Sequence, residues 1–180
     1  MIRAVISTVA VLAGFAVVES SVDASTGQGT GHGGSCKPTE AYAVLQPGET
    51  LTVRDQPTPE APVLGALGSD AKSPVVTVVG SQSGWARIAL DNKDYAASSD
   101  KPRQYGWVPA DHLTVDTRVD GQITVYTRPG LLGREIGRIE GENHKFRMLG
   151  CRDELMHVIN ATEGNVWIDR WCSREEGCRG

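Results

Sequence analysis

The chain has 180 residues, 39% of them hydrophobic and 22% charged, with 21 Gly, 9 Pro and 4 Cys. That hydrophobic content is too high for a disordered chain, the glycines follow no triplet period, and the cysteines are too few for a disulfide-dense miniprotein. A formal net charge of −4 argues against a protein whose main task is gripping nucleic-acid phosphates, and the length gives room for one or two small domains.

Residues 1–24 read as a secretory signal. Arg3 opens it, Ala4 to Val18 is an uncharged and mostly apolar run, and a polar stretch follows that ends in Val22-x-Ala24. A spanning helix needs roughly 20 apolar residues. This run is shorter and lacks a stop-transfer flank, so cleavage is expected, with no membrane association after it. Residues 25–40 form a Gly-rich leader. Within it Gly29-x-Gly31-x-x-Gly34 spells a dinucleotide fingerprint, but no strand precedes it and no helix follows, so the segment reads as a flexible linker.

Export makes the cysteines legible. Cys36, Cys151, Cys172 and Cys178 are an even set, and in an oxidising compartment that predicts two disulfides. Their connectivity stays open. Cys36–Cys178 with Cys151–Cys172 would tie down both ends of the folded region, whereas Cys172–Cys178 would close a small local loop.

The next segments carry the periodicity of strands. Thr50 to Arg54 and Val75 to Val79 alternate apolar with polar residues, and Trp85 to Leu90 does so in part. Pro47-Gly48, Ser83-Gly84 and Glu163-Gly164-Asn165 supply turns between them. Asp91 to Gln104 is a polar insertion. Val115 to Gly121 is a short connection, where Asp116 and Asp120, with nearby Asp111, lack calcium-loop spacing and read as solvated.

The chain also repeats itself. Leu51-Thr52-Val53-Arg54 aligns with Ile123-Thr124-Val125-Tyr126, Pro57 with Pro129, Gly65 with Gly137, and Leu67 with Ile139. Further on, Gly80 falls on Gly150, Trp85 on Leu155, Ile88 on Val158, and Gly106-Trp107-Val108 on Val166-Trp167-Ile168. The copies occupy residues 41–115 and 116–173, and a tail, 174–180, follows. Short strands with closely spaced turns predict an all-β fold, and a unit this small suits a barrel of about five or six strands.

The first copy resembles a bacterial SH3 (SH3b) domain through Leu51-x-Val53-Arg54-x-x-Pro57, Val63-Leu64-Gly65-x-Leu67, Val76 to Gly80, Gly84-Trp85-Ala86-Arg87-Ile88, Tyr105-Gly106-Trp107-Val108 and Leu113. The second copy is degenerate: Tyr126 replaces the arginine, Glu154-Leu155 replaces Gly-Trp, and Val166 replaces the last glycine. The resemblance spans about Ala41 to Ser173. It implies two consecutive SH3-like barrels in a secreted or periplasmic protein whose ligand is peptidoglycan, its peptide stems, or another envelope protein.

The aromatics and arginines are the candidate contacts. Trp85 and Tyr105 would line one edge of a groove for an extended peptide, and Tyr95 and Arg103 would reach from the insertion. Arg54 would hold a carboxylate bidentately or pair locally with Asp55 or Glu49. Against this stands the structural reading in which Trp85, Trp107 and Trp167 fill barrel walls. Trp171 and the tail beside Cys172 read as packing. His32, His112, His144 and His157 are scattered without metal-site spacing, and Cys36 with His32 is no preorganised nucleophile pair. No catalytic residue, metal or cofactor is expected. The function expected is non-catalytic binding at the envelope. A structural or inhibitory partner of another secreted protein is the alternative.

Overall fold

The computed structural model describes residues 34–68, 73–91, 94–98, 103–140 and 145–178, so the signal segment, His32 and His144 lie outside them. The strands are β1 (Gly34–Ala43), β2 (Thr50–Arg54), β3 (Val63–Gly68), β4 (Val75–Gln82), β5 (Trp85–Ala89), β6 (Tyr95–Ala97), β7 (Tyr105–Pro109) and β8 (Leu113–Asp116). They continue with β9 (Gln122–Tyr126), β10 (Glu135–Glu140), β11 (Lys145–Arg152), β12 (Leu155–Asn160) and β13 (Gly164–Ile168). A 3-10 turn, Ala110–His112, joins β7 to β8.

Alternation fixes which side of each strand is inside. Val76 and Val78 of β4, Ala86 and Ile88 of β5, Ile123 and Val125 of β9, and Met156 and Val158 of β12 are all buried, as a period of two requires. Ser83-Gly84 forms a two-residue turn between β4 and β5, and both residues have positive φ (49° and 80°). That is the geometry a two-residue hairpin needs to match strand twist.

The chain is all-β. Its strands form one antiparallel sheet in the order β10-β9-β13-β12-β11-β8-β1-β4-β5-β7-β2-β3-β6. The duplication seen in sequence is a duplication of register. Leu51 faces Leu67 as Ile123 faces Ile139, and Val53 faces Gly65 as Val125 faces Gly137. A bulge after Val78↔Ile88 brings Gly80 opposite Arg87, and a bulge after Met148↔Val158 brings Gly150 opposite His157. Arg87 then faces Trp107 as His157 faces Trp167.

The two copies are not separate sheets. β1 lies beside β4, and β8 lies beside β11 in the equivalent place, with Ala41↔Val76 answered by Val115↔Phe146. β8 also returns from β7 to pair with β1, through Tyr42↔Thr114 and Ala43↔Leu113. In the second copy Cys172 makes the corresponding return to Asp116, with N–H···O bonds of 2.9 and 2.7 Å. Thus β8 completes the first copy and begins the second. One buried apolar cluster, from Cys36 to Cys172, runs through both copies.

Three sequence expectations change here. The boundary between residues 115 and 116 falls inside β8. Asp116 is not solvated: it is 0% exposed and accepts hydrogen bonds from Arg118 Nε (2.9 Å), Arg118 Nη2 (2.7 Å) and the Arg118 amide (2.7 Å). The leader is ordered strand from Gly34 onward, because the backbones of Ser35 and Lys37 bond to Asp153 at 2.9 and 2.7 Å.

The disulfides are Cys36–Cys151 and Cys172–Cys178, with Cα separations of 5.7 and 5.5 Å. The first clasps β1 to the end of β11, so the Cys36–Cys178 and Cys151–Cys172 pairing is replaced by the local tail loop and this long-range bond. Two bonds of this kind fit an oxidising compartment.

Candidate functional site

The inner positions of β5, β7 and β2 (Ala86, Ile88, Val108 and Val53) are buried in the core. The alternating residues therefore share the outer face: Trp85, Arg87 and Ala89 on β5, Tyr105, Trp107 and Pro109 on β7, and Arg54 on β2. In register, Trp85 faces Pro109 and Arg87 faces Trp107, which has Arg54 on its other side. The Arg87 guanidinium lies 4.4 Å from the centroid of the Tyr105 ring, a cation–π contact. The sheet thus gathers Arg54, Trp85 and Tyr105 on one surface. The sequence alone did not single out Arg87, although its place between Trp85 and Ala89 in an alternating strand puts it on that face.

The tryptophans do not fill the interior. Trp85, Trp107 and Trp167 are each half-buried on the outer face, since the inner positions beside them go to smaller apolar residues. Arg54 does not pair with Asp55 or Glu49; its Nη1 donates to the Ala61 carbonyl at 2.7 Å, which fixes the loop after β2. Asp55 instead meets Arg103, 3.4 Å away. The insertion is partly strand. Tyr95 opens β6 and donates its hydroxyl to the Leu64 carbonyl at 3.0 Å, and burial raises its pKa. Tyr95 and Arg103 are therefore tied to β3 and to the loop after β2, at the side of the aromatic face.

The second copy repeats the face with different chemistry. Trp167 lies between His157 and Tyr126 in register, and the His157 and Trp167 rings stack with centroids 4.4 Å apart and planes 4° apart. His157 Nε2 shares a hydrogen bond with the Asn165 side-chain oxygen. Burial lowers the His157 pKa, and the Asn165 bond offsets that only in part. A neutral imidazole therefore stacks on the indole, where the first copy has arginine. One face offers guanidinium groups and aromatic edges, suited to carboxylates and planar amides. The other offers a neutral stacking surface.

Cavities occur elsewhere. One of about 360 Å³ lies over the junction of β1, β8 and β11, lined by Val44, His112, Thr114, Lys145 and Arg147. Two others, of about 410 and 290 Å³, share Pro38, Thr39, Asp169 and Trp171. Trp171 packs there as the tail reading expects, donating Nε1–H to the Glu40 carbonyl at 3.0 Å.

The chain matches no family model, no curated protein and no solved structure.

Proposed function

We propose that the protein is a secreted, non-catalytic binding protein of the bacterial envelope. In this reading its modules are SH3-like, and it recognises peptidoglycan or an extended peptide through the outer faces of β5–β7–β2 and β12–β13–β9. The observation that carries this reading is the recurrence, at identical register, of a half-buried tryptophan flanked by planar or cationic side chains: Arg87–Trp107–Arg54 and His157–Trp167–Tyr126. Tryptophan and arginine held on rigid strands lose little entropy on binding, which is why they dominate recognition surfaces. Two such faces on one sheet would add avidity for a repeating polymer.

Sedimentation of the protein with purified cell walls at low salt tests the reading. Wild type should pellet with the walls, and Trp107→Ala and Arg87→Ala should each weaken retention by about tenfold while the unfolding transition stays cooperative. Wild type left in the supernatant, or retention unchanged by both substitutions, would refute it.

A further inference from the structure

The two copies differ most at the outer edge of their first hairpins. In the first copy β3 is covered by β6, through Gly65↔Ala97, Ala66↔Ala96 and Leu67↔Tyr95. Further bonds run from the Ser98 amide to the Leu64 carbonyl (2.7 Å) and from the Gly68 amide to the Asp94 carbonyl (3.0 Å). In the second copy β10 occupies the place of β3 and ends the sheet, since the insertion that supplies β6 has no counterpart between β12 and β13.

The consequences fall on equivalent residues. Leu64 is 7% exposed, and Ile136, which stands in its place, is 51% exposed. Gly65 is a glycine for a visible reason: a Cβ there would come within 2.2 Å of the Ala96 carbonyl oxygen and 2.7 Å of the Tyr95 ring. Gly137 holds the same register position, yet a Cβ there would meet nothing within 4 Å. A glycine inside a strand costs conformational entropy and packs nothing. In the first copy the close approach of a further strand explains it; in the second no strand pairs there among the described residues.

The charges on this edge are turned back onto the hairpin: Arg138 bonds Glu135 at 2.9 Å and Gln122 of β9 at 3.3 Å, and Glu140 accepts from the Gln122 amide, so the charged side chains that ordinarily protect an exposed edge are engaged with their own hairpin. Beside the edge, the loop from β9 presents Leu131 and Leu132 to solvent. It is held by bonds from Arg128 Nε to the Leu132 carbonyl (2.8 Å) and from the Gly133 amide to the Gly130 carbonyl (2.8 Å).

We infer that β10 is a receptor edge which takes up an extended segment of a partner polypeptide, in the place that β6 fills in the first copy. The first copy specifies the chemistry of that segment. It runs antiparallel to β10, sets small side chains opposite Gly137 and Arg138, and carries a tyrosine opposite Ile139 whose hydroxyl reaches the Ile136 carbonyl. Main-chain bonds to Ile136, Arg138 and Glu140 give the affinity and the glycine gives the selectivity, as in strand addition generally. Leu131 and Leu132 supply apolar contact at one end. This surface is distinct from the tryptophan faces.

The probe is a synthetic peptide with the sequence of residues 89–100 of this chain, which contains Tyr95-Ala96-Ala97, titrated into the 15N-labelled protein. Amide shifts and slowed hydrogen exchange should concentrate at Ile136, Arg138 and Glu140. Gly137→Val should weaken the peptide by about tenfold or more while moving the unfolding midpoint by less than about 2 °C. Replacing the peptide tyrosine with alanine should weaken it similarly. The inference is overturned by no response at about 1 mM peptide, by shifts confined to β3 or to the tryptophan faces, or by equal binding to Gly137→Val. A concentration-dependent dimer that Gly137→Val abolishes would overturn it too, since a second copy of the chain would then occupy the edge.

Discussion

Replacing both Cys36 and Cys151 with alanine should destabilise the protein far more than replacing both Cys172 and Cys178. The two bonds join residues 115 and 6 apart in sequence. Loop-closure entropy in the unfolded chain grows with the logarithm of that separation, which gives about 5 kcal/mol for the first bond and roughly 2.4 kcal/mol for the second. The first loss also frees the start of β1, where register with β4 breaks between Ser35 and Thr39, so local fraying adds to it. The difference of about 2.5 kcal/mol follows from chain length alone and does not depend on the side-chain substitution. Guanidinium titration of the two double variants, read by tryptophan fluorescence, measures it through the midpoints at constant slope. Equal losses, or a larger loss for the tail pair, would refute the claim that the long bond clasps β1 to the second copy.

Asp116→Asn should cost about 1–3 kcal/mol, because one buried carboxylate oxygen that accepts from Arg118 becomes an amide NH2 facing the same donors; thermal unfolding against wild type measures this. Tyr42 is wholly buried and its hydroxyl has no hydrogen-bond partner among the described residues, so Tyr42→Phe should leave stability unchanged or raise it by about 1 kcal/mol. The folded-state pKa of His157 is depressed by burial, so the unfolded chain binds its proton more readily. Stability contributed at this site is therefore complete above the unfolded pKa of about 6.5 and declines as pH falls below it. His157→Phe should flatten that part of the pH–stability curve.

Much of the ladder was legible because a repeat aligned by glycine, proline and tryptophan is also a repeat of register. Gly65 with Gly137, and Trp107 with Trp167, were paired by letter before they were paired by hydrogen bonds. Faces were harder to read. Alternation groups Trp85 with Arg87 and Ala89, but it does not say which group looks inward, and the size of tryptophan pointed the wrong way. The start of β1 was hidden because Gly34 and Ser35 look like linker; what orders them is Asp153 and Cys151, more than a hundred residues away. Asp116 was misread for a related reason. A carboxylate reads as solvated until the arginine that neutralises it, two residues on, is seen to fold back. The disulfides could not be chosen from spacing, since the partner of Cys36 depends on which strand of the second copy lies against β1.

Because Leu113 to Asp116 serve two neighbours at once, neither half can be lifted out whole by a cut between them. A fragment ending before Leu113 would bare the flank of Tyr42 and Ala43, and one beginning after Asp116 would bare that of Phe146. A further unit joined in the same way would share the segment at Cys172, as the second copy shares β8 with the first.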